Sequence, residues 1–245
     1  MKIAKTVLVT GSSRGIGYEI AKIFVESGYN VVLNCIQRSK LMDQIVHIFR
    51  QTNPNVIGIK CDVSNYEECR AMFVQIAQTF GNVDILINNA GISDFGLFGQ
   101  TDVIDWHKTI ESNLYSAMNC SHLAIEKMIS NKSGQILNIS SIWGNVGASC
   151  EVAYSTAKAA VNGFTKALAK ELAPSGVQVN AIACGVVDTG MNIRLTPEER
   201  EQLEKSIPIG RFLRPEEVAK FAFSICTENI TYLTGQIITI DGGMT

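Results

Sequence analysis

The sequence contains no CxxC pair and no cluster of histidines, although structural zinc sites usually need such groupings. Its three histidines, His47, His107 and His122, are widely separated. The cysteines are odd in number, and most stand in apolar surroundings, where cysteine behaves as a small hydrophobic residue. We therefore predict no metal site and no disulfide bonds, and we expect a reducing, cytoplasmic environment. The seven cysteines are at positions 35, 61, 69, 120, 150, 184 and 226.

Long apolar runs and an excess of positive charge are also missing. No run approaches the ~20 residues of a membrane-spanning helix, and the N-terminal stretch MKIAKTVLVTGSSRG becomes glycine-rich too early for a secretory signal. With 21 basic and 23 acidic residues the formal net charge is -2, and no basic stripe stands out. Membrane insertion, secretion and nucleic-acid binding are therefore not expected.

Short apolar runs alternate with segments of helical periodicity along the whole chain. Runs that are continuously apolar are typical of strands buried on both faces of a parallel sheet. The pattern predicts a Rossmann-type α/β fold, a doubly wound, seven-stranded parallel sheet with helices on both faces, in a single domain over 1–245. The weakly patterned residues 185–213 are expected to form a substrate lid. The predicted strands lie at 6–10, 30–35, 55–63, 83–91, 134–141, 177–183 and 235–243, and the predicted helices at 15–28, 39–52, 64–80, 103–130, 151–173, 196–205 and 215–226.

A glycine-rich turn, VTGSSRGIG, stands between the first predicted strand and the first predicted helix. Glycine lets the backbone bend sharply and approach a diphosphate closely, while the start of a helix offers unpaired N–H groups and the positive end of its dipole. The spacing is GxxxGxG rather than the commoner GxGxxG. Glycines also end strands for steric reasons, but this position favours a dinucleotide-binding turn. Its candidate residues are Gly11, Ser13, Arg14, Gly15, Ile16 and Gly17.

The end of the second predicted strand indicates which dinucleotide is bound. Folds that prefer NAD usually place a carboxylate there to hold the ribose 2′-hydroxyl, yet no carboxylate occurs between 31 and 42. Arg14 and Arg38 supply positive charge that can meet a 2′-phosphate. We therefore predict NADP(H), with two solvated arginines as the alternative. After the third strand, Asp62 is expected to accept a hydrogen bond from the adenine amine, to cap the helix at 64, or to do both.

Tyr154 and Lys158 are spaced to lie on one face of the helix predicted over 151–173. A free tyrosine has a pKa near ~10, so it needs help to exchange a proton near neutrality. A lysine ammonium beside the phenol favours the phenolate, as does the positive ring of an oxidised nicotinamide. The alternative is structural, because tyrosine often lies half-buried in a helix and lysine often covers apolar surface with its stem.

Several motifs, taken in order, resemble those of the short-chain dehydrogenase/reductase family in its compact single-domain branch. They are TGSSRGIG at 10–17, NNAG at 88–91, Asn113, SS at 140–141, and Tyr154 with Lys158. The resemblance covers essentially the whole chain. It implies that Tyr154 passes a proton to a carbonyl oxygen, that Lys158 also holds the nicotinamide ribose, and that Ser141 hydrogen-bonds the substrate oxygen, with Ser140 as second choice. It also implies that Asn113 anchors a water at a local kink of its helix.

The same resemblance assigns further cofactor residues. Asn89, Ala90 and Gly91 are expected beneath the adenine ribose, and Val63 is grouped with Asp62 beside the adenine. The segment ACGVVDTGM is similar to the family's APGxxxTxM, in which Val187 and Thr189 match positions that bind the nicotinamide carboxamide. Cys184 stands where the family usually has proline, which either loosens the turn or is a tolerated small apolar exchange. Ile139 is expected to support the site from the core.

Within the family, the segments IPIGRFLRPEEVA and YLTGQIITIDGGM resemble the bacterial 3-oxoacyl-[acyl-carrier-protein] reductases. This similarity implies reduction of a 3-oxoacyl group on an acyl carrier protein, in fatty acid biosynthesis. Basic residues often precede strands five and six in that group. Lys132 fits the first place, whereas Ser175 occupies the second. Glu151 stands where that group tends to have glutamine. It either lines the pocket with Ser141 and Tyr154 and favours a cationic or polar substrate, or it faces solvent or caps its helix.

Other functions stay open at this point. GASCEVAYS and AIACGV are similar to a subgroup that reduces an amino-ketone attached to a bacterial translation elongation factor. Another small ketone or polyol is a further alternative. A non-catalytic dinucleotide sensor is disfavoured because Ser141, Tyr154 and Lys158 are all present, and an extended-branch epimerase or dehydratase is disfavoured because no substrate domain follows the last strand. The family resemblance also implies a homotetramer formed through the helices at 103–130 and 151–173 and the last strand.

Overall fold

A parallel sheet of seven strands lies at the centre of the computed structural model, which describes residues 4–37, 40–192, 195–228 and 230–245. The strand order is β3-β2-β1-β4-β5-β6-β7, and every neighbouring pair is parallel. The predicted doubly wound, single-domain Rossmann-type fold is confirmed. The strands are β1 Thr6–Val9, β2 Asn30–Cys35, β3 Val56–Lys60, β4 Ile85–Asn88, β5 Gly134–Ser141, β6 Val177–Cys184 and β7 Ile237–Ile240.

Both faces of the sheet are buried, which explains the continuous apolar runs in the sequence. Successive side chains of a strand point to opposite faces. Val7 and Val9 of β1 therefore pack in one apolar cluster, while Leu8 between them packs in the other. The first cluster is covered by α1 Gly15–Glu26, α2 Lys40–Thr52 and α9 Pro215–Thr227, and the second by α3 Tyr66–Phe80, α5 Ser116–Ser130 and α7 Val152–Leu172. The remaining α-helices of the described residues are α4 Val103–Ile110, α6 Trp143–Val146 and α8 Pro197–Ser206.

The helix predicted over 103–130 has these bounds and contains the local kink expected at Asn113. A π-helical turn over Glu111–Tyr115 separates α4 from α5. Asn113 is buried at the centre of this turn, and its Nδ2 donates to the backbone oxygens of Thr109 at 2.8 Å and Ile92 at 2.7 Å. A side-chain amide that bonds the backbone competes with the regular helical ladder, and π-turns are often found at functional sites.

The beginning of α3 corrects the interpretation of Asp62 as a helix cap. The helix begins at Tyr66, and its N-cap is Asn65, whose side chain accepts from the N–H groups of Glu67 and Glu68. Asp62 instead closes the preceding turn, because its Oδ1 accepts from Ser64 N at 3.0 Å and from Ser64 Oγ at 2.7 Å. An aspartate that bonds the backbone two residues later is an ordinary turn device.

Buried polar side chains join the middle of the sheet to the helices that cover it. Asn88 Nδ2, at the end of β4, donates to Asn138 Oδ1 of β5 at 2.8 Å and to Ser121 Oγ of α5 at 3.1 Å. Asn138 Nδ2 in turn donates to Thr165 Oγ1 of α7 at 2.8 Å. These contacts hold α5 and α7 in register with β4 and β5, because a buried amide that lost its partner would be costly.

The region 185–213, predicted to be a lid, contains α8 and a short 3-10 turn over Gly190–Asn192. Arg200 of α8 forms two hydrogen bonds of 2.9 Å to the carboxylate of Asp188 and lies over the ring of Phe212, 4.5 Å from its centre. These contacts tie the helix to the segment that follows β6. Lid movement stays a prediction.

Within the described ranges, no helix combines the length and apolarity that crossing a bilayer would need. The same residues contain no group of three or more histidine, cysteine, aspartate or glutamate side chains placed to hold a metal ion.

Candidate active site

The predicted site residues follow the carboxyl ends of β1, β4, β5 and β6. The chain leaves β1 toward β2 on one side of the sheet, whereas β4 and the later strands continue on the other side. In such sheets, ligands bind in the crevice outside the strand ends where the order reverses. That reversal lies between β1 and β4 in this fold, directly at the glycine-rich turn and the NNAG segment.

The glycine-rich turn depends on positive φ angles and close backbone approach. Gly11 has φ +62° and Gly15 has φ +58°, a region in which other residues are strained. A Cβ atom at Gly11 would lie 2.9 Å from Ala90 Cα, and one at Gly17 would lie 2.6 Å from Gly11 O. The N-terminus of α1 is therefore brought close to the end of β4, with the Asn89 amide packed between them, and its N–H groups can face a bound anion.

Thr10 and Asn89 fix this turn to β4. Thr10 Oγ1 accepts from Asn89 N at 2.9 Å and Ala90 N at 3.0 Å, and Asn89 Nδ2 donates to Thr10 O at 2.8 Å and Gly11 O at 3.1 Å. Asn89 and Ala90 thus help to hold the predicted cofactor site in shape. Thr10 stands inside the quoted motif but was not singled out as a site residue.

Asn34 was also missed, although it lies in the segment LNCIQRS used to predict the cofactor. Its Oδ1 accepts from Gly11 N at 3.2 Å, and its Nδ2 donates to Cys61 O at 3.0 Å. Its backbone N–H donates to Ser12 Oγ at 2.9 Å. This fully buried amide therefore links the ends of β1, β2 and β3. An asparagine inside an otherwise apolar strand is the signal that could have revealed it.

The residues predicted near the adenine end are only partly brought together by described contacts. Arg14 is exposed at the N-cap of α1, while Ser13 and Ile16 are half-buried on the same turn. Asp62 is half-buried and engaged with Ser64, and Val63 beside it is buried in the core. The prediction for Arg38 lies outside the described residues.

Tyr154, Lys158 and Ser141 converge where α7 passes the end of β5. Lys158 is 5% exposed, and its Nζ donates to Ile139 O at 2.9 Å and lies 5.5 Å from the centre of the Tyr154 ring. Burial lowers the pKa of Lys158 to about 8, which leaves the amine mostly protonated at neutral pH. Ile139 therefore contributes a lysine-holding carbonyl as well as the expected apolar support.

The surroundings of Tyr154 favour the protonated phenol. Burial raises its pKa, and a hydrogen bond with the Ser141 side chain acts in the opposite direction. The nearby Cys184 and Glu151 raise the pKa further. Burial and these neighbours therefore hold Tyr154 as an acid despite Lys158 Nζ above its ring, and the phenolate would need the additional positive charge of an oxidised nicotinamide.

The two serines of the SS motif have different partners. Ser141 Oγ accepts from Trp143 N at 3.2 Å and interacts with the Tyr154 hydroxyl, so it faces the crevice. Ser140 Oγ donates to Asn162 Oδ1 at 2.6 Å inside the protein. This geometry favours Ser141 over Ser140 as the residue that contacts substrate.

Asn113 and Gly91 complete the cluster around Lys158. A Cβ atom at Gly91 would collide with Asn113 Oδ1 and would lie 3.6 Å from Lys158 Nζ, so the three residues meet at one point. Asn113 Oδ1 is buried and has no hydrogen-bond partner among the described residues. Buried carbonyl oxygens normally have partners, and an orphan beside a lysine is suited to a bound water.

Glu151 points across the crevice toward the loop that follows β4. Its Oε1 accepts a short hydrogen bond from Ser93 Oγ, and its side chain makes no cap to α7. Because its charge also raises the pKa of Tyr154, the carboxylate lies near the reacting hydroxyl. The alternatives of a solvent-facing side chain and a side-chain helix cap are thereby disfavoured.

Cys184, Val187 and Thr189 border the opposite side of the crevice. Cys184 is the last residue of β6, pairs in register with Ser141, and accepts from Ile142 N at 2.9 Å through its backbone oxygen. The replacement of proline by cysteine leaves the strand regular. Val187 is buried and bridges to Leu213, and Thr189 lies so close to Gly15 that a Cβ there would be 3.4 Å from Thr189 Cγ2.

The described residues fit a nicotinamide dinucleotide. The glycine turn offers a backbone cradle that a side chain would fill, and the groove continues past Thr189 and Gly91 to a buried amine and an orphaned amide oxygen. Gly11, Gly15 and Gly17 would hold the diphosphate, and Lys158 would hold the nicotinamide ribose.

Fold and crevice together define the chain as a dinucleotide-binding oxidoreductase, and comparisons with known proteins give its family. A family model described as Enoyl-(Acyl carrier protein) reductase matches residues 11–245. A crystal structure of a "putative gluconate dehydrogenase" from Agrobacterium tumefaciens superposes with a TM-score of 0.93 at 33% identity, covering 99% of this chain and 96% of the other. The chain belongs to the short-chain dehydrogenase/reductase family, whose members use a nicotinamide dinucleotide.

Similar curated proteins come from several bacteria. The Bacillus subtilis (strain 168) protein named Uncharacterized oxidoreductase YmfI is 39% identical over 243 residues, covering 98% of both chains. The 3-oxoacyl-[acyl-carrier-protein] reductase FabG of Staphylococcus aureus (strain Mu50 / ATCC 700699) is 36% identical over 244 residues, covering 100% of this chain and 99% of its own. The FabG of Aquifex aeolicus (strain VF5) is 38% identical over 240 residues, covering 98% and 97%.

The depressed pKa of Lys158 predicts a specific pH dependence of stability. Between about 8, its pKa in the folded chain, and 10.5, its ordinary value, the unfolded chain binds more protons than the folded one. The free energy of unfolding of the native protein should therefore rise with pH across this window relative to that of Lys158→Met. Urea unfolding of both proteins between about pH 7 and pH 10 measures the difference. Parallel curves would show that burial does not depress the Lys158 pKa.

Proposed function

We propose that this protein reduces a ketone to a secondary alcohol with NADPH. The observation that carries the proposal is the convergence of the Ser141 and Tyr154 hydroxyls, beside the buried amine of Lys158, at the crevice that the glycine-rich turn also borders. Two hydroxyls that can reach one oxygen, one of them a protonated phenol, are suited to hold and protonate a carbonyl group.

Each residue then has a distinct role. Bound reduced nicotinamide supplies the hydride that goes to the carbonyl carbon. Ser141 donates a hydrogen bond to the carbonyl oxygen, and Tyr154 gives that oxygen its phenolic proton. Lys158 stabilises the tyrosinate that remains, and a water at Asn113 Oδ1 returns a proton toward Lys158 and Tyr154. Such positioned proton transfer typically accelerates a reaction by about 10²–10⁴-fold.

The choice of NADPH over NADH rests on the charges at the adenine end. The sequence carries no carboxylate between 31 and 42, and the next-to-last residue of β2 is the neutral Asn34, whose amide bonds Gly11 and Cys61. The exposed Arg14, with Arg38, is suited to a 2′-phosphate. A carboxylate that would repel that phosphate is absent from this stretch of sequence.

The first substrate candidate is a 3-oxoacyl group on an acyl carrier protein, with a role in fatty acid biosynthesis. Its support is the full-length similarity to relatives named for that activity. The position of Lys132 limits which active site a carrier protein bound there could reach. Lys132 precedes the amino end of β5, whereas Ser141 is at the carboxyl end, about 25 Å away along an eight-residue strand. A carrier bound at Lys132 would therefore serve the site of another subunit.

The second candidate is an amino-ketone, such as one attached to a translation elongation factor. The observation that favours it is the Glu151 carboxylate near Tyr154, held by Ser93 at the edge of the crevice. A negative charge at this place attracts a substrate ammonium and gives no advantage to a plain acyl chain. Ser175, where carrier-protein reductases often have a basic residue, agrees with this candidate.

A cytoplasmic homotetramer is the proposed assembly. Exposed apolar side chains occur on the helices that the family uses for assembly, namely Met118 and Ile129 on α5 and Val152 on α7. Tyr115, at the start of α5, is also exposed. Such side chains gain stability when a second copy covers them.

Tyr154→Phe removes the proposed proton donor and retains the aromatic ring. We expect kcat for ketone reduction to fall by about 10²–10⁴-fold, with the dissociation constant for NADPH nearly unchanged. NADPH oxidation with acetoacetyl thioesters and fluorescence titration of NADPH measure the two quantities. Tyr232→Phe, on a tyrosine that is 99% exposed, is the matched control. Equal loss of binding and turnover would mean that Tyr154 mainly supports the pocket.

Arg38→Asp tests the cofactor assignment. Losing a charge-assisted contact to a 2′-phosphate should weaken NADPH by roughly tenfold to a hundredfold and leave NADH much less affected. Steady-state kinetics with both cofactors give the ratio. Arg70→Asp makes the same charge change at an exposed position of α3 and should leave that ratio alone. An unchanged ratio in Arg38→Asp rejects the preference for NADPH.

Glu151→Gln distinguishes the two substrate candidates. If the carboxylate selects a cation, kcat/KM for an amino-ketone should fall by roughly tenfold relative to a neutral 3-oxoacyl thioester, because one charged contact is lost. Glu126→Gln, on the exposed side of α5, controls for net charge. A selectivity ratio that does not move would remove the support for the amino-ketone.

A further inference from the structure

Four polar side chains link α7 to β5, to α6 and to the edge of the sheet. Ser140 Oγ of β5 donates to Asn162 Oδ1 of α7 at 2.6 Å. Asn162 Nδ2 donates to Asn145 Oδ1 of α6 at 2.9 Å, and Asn145 Nδ2 donates to Thr239 Oγ1 of β7 at 3.3 Å. We call Ser140, Asn162, Asn145 and Thr239 the polar chain. Its centre is the buried amide of Asn162, which uses both its oxygen and its nitrogen.

The polar chain touches the immediate neighbours of the reacting residues. Asn162 is four residues after Lys158, so the two side chains share one face of α7. Ser140 directly precedes Ser141, and Asn145 lies in the short helix that follows it. The chain therefore connects the two elements whose separation sets the distance between the Tyr154 and Ser141 hydroxyls.

The short helix α6 is pressed directly against α7. A Cβ atom at Gly144 would lie 2.7 Å from the backbone carbon of Lys158, so the two backbones meet without an intervening side chain. Trp143, the first residue of α6, donates a hydrogen bond from its backbone N to Ser141 Oγ at 3.2 Å. A shift of α6 would move a hydrogen-bond donor of Ser141, and only the Asn145 side chain bonds α6 to both α7 and β7 among the described contacts.

We propose that Asn162 is a positioning residue, which holds α7 to β5 through Ser140 and to α6 through Asn145 and thereby sets the distance between the Tyr154 and Ser141 hydroxyls. The inference rests on the reductase function proposed above. Both hydroxyls must reach one carbonyl oxygen, and a displacement of about 1 Å in such a geometry can cost about a hundredfold in rate. An amide suits this place because it accepts from Ser140 and donates to Asn145 at once.

The test compares Asn162→Ala with Thr165→Ala. Thr165 is three residues further along α7 and bonds Asn138 of β5, so its removal breaks a similar buried polar contact without touching the polar chain. We expect Asn162→Ala to lower kcat by about tenfold to a hundredfold, with the NADPH dissociation constant unchanged. Thr165→Ala should lose thermal stability with a much smaller effect on kcat, because its contact with β5 lies further along α7 from Tyr154 and reaches Asn138 rather than the neighbour of Ser141. Asn145→Ala, at an exposed position, should fold normally and lower kcat in the same direction.

Two measurements distinguish an effect on the placement of Tyr154 and Ser141 from a general loss of stability. The double variant Asn162→Ala/Asn145→Ala should be no slower than Asn162→Ala alone, because each substitution removes the same hydrogen bond between Asn162 and Asn145. In alcohol oxidation, the pH–rate profile of Asn162→Ala should shift to higher pH, since the Ser141 hydrogen bond that lowers the Tyr154 pKa is weakened. Equal kcat losses in Asn162→Ala and Thr165→Ala, or an unmoved pH profile, would overturn the inference. A native enzyme that binds NADPH but turns over no ketone would instead overturn the proposed function.

Discussion

The contact between Lys158 Nζ and Ile139 O is the constraint on which the rest of the site depends. A protonated amine that is nearly removed from water needs a polar partner, and here that partner is a carbonyl of β5. To satisfy it, α7 must pass close to β5. Two neighbouring glycines then allow close packing around Lys158, because a Cβ at Gly144 would meet the Lys158 backbone and one at Gly91 would collide with Asn113 Oδ1. The same approach brings Tyr154 to Ser141. This buried charge thus acts together with the proposed positioning residue Asn162 to fix the distance between the helix and the strand that carry the candidate catalytic groups.

The dinucleotide end of the crevice is built differently, from neutral amides and hydroxyls. Thr10 and Asn89 fasten the glycine turn to β4, and Asn34 fastens it to β2 and β3. These side chains bond backbone atoms and thereby shape the cradle. The N–H groups of Gly11 and Ser12 are bonded to Asn34, so the N–H groups at the start of α1 are the ones that can face a ligand. The two ends share β4, because Asn89 stands beside the turn and Gly91 beside Lys158. A rigid strand end therefore relates the position of the diphosphate to that of the reacting hydroxyls.

The sequence was sufficient for the sheet and for placing Tyr154 beside Lys158, because buried parallel strands and the i, i+4 spacing leave direct traces in it. The position of Ser141 beside them was implied by the family resemblance. The sequence was insufficient where a single side chain competes with the backbone. The kink expected at Asn113 takes the form of a π-turn, which the sequence alone does not specify, and Asn65, rather than Asp62, caps α3. Asn34 and Asn162 escaped notice because their partners are distant in the chain, at separations of 22 to 27 residues for Asn34. The two readings of Glu151 could be separated only by the position of Ser93.

The hydrogen bonds between Thr10 and Asn89 join residues 79 positions apart. The conformation of the glycine-rich turn therefore depends on residues outside the motif. A peptide that spans only the first strand, the turn and the first helix would lack Asn89, which bonds the turn at Thr10 and Gly11. During synthesis, the nucleotide cradle can mature only after the fourth strand has emerged and threaded beside the first, and a loop of this length closes slowly. Moving the motif into another protein would accordingly require an asparagine placed as Asn89 is, as well as the glycines.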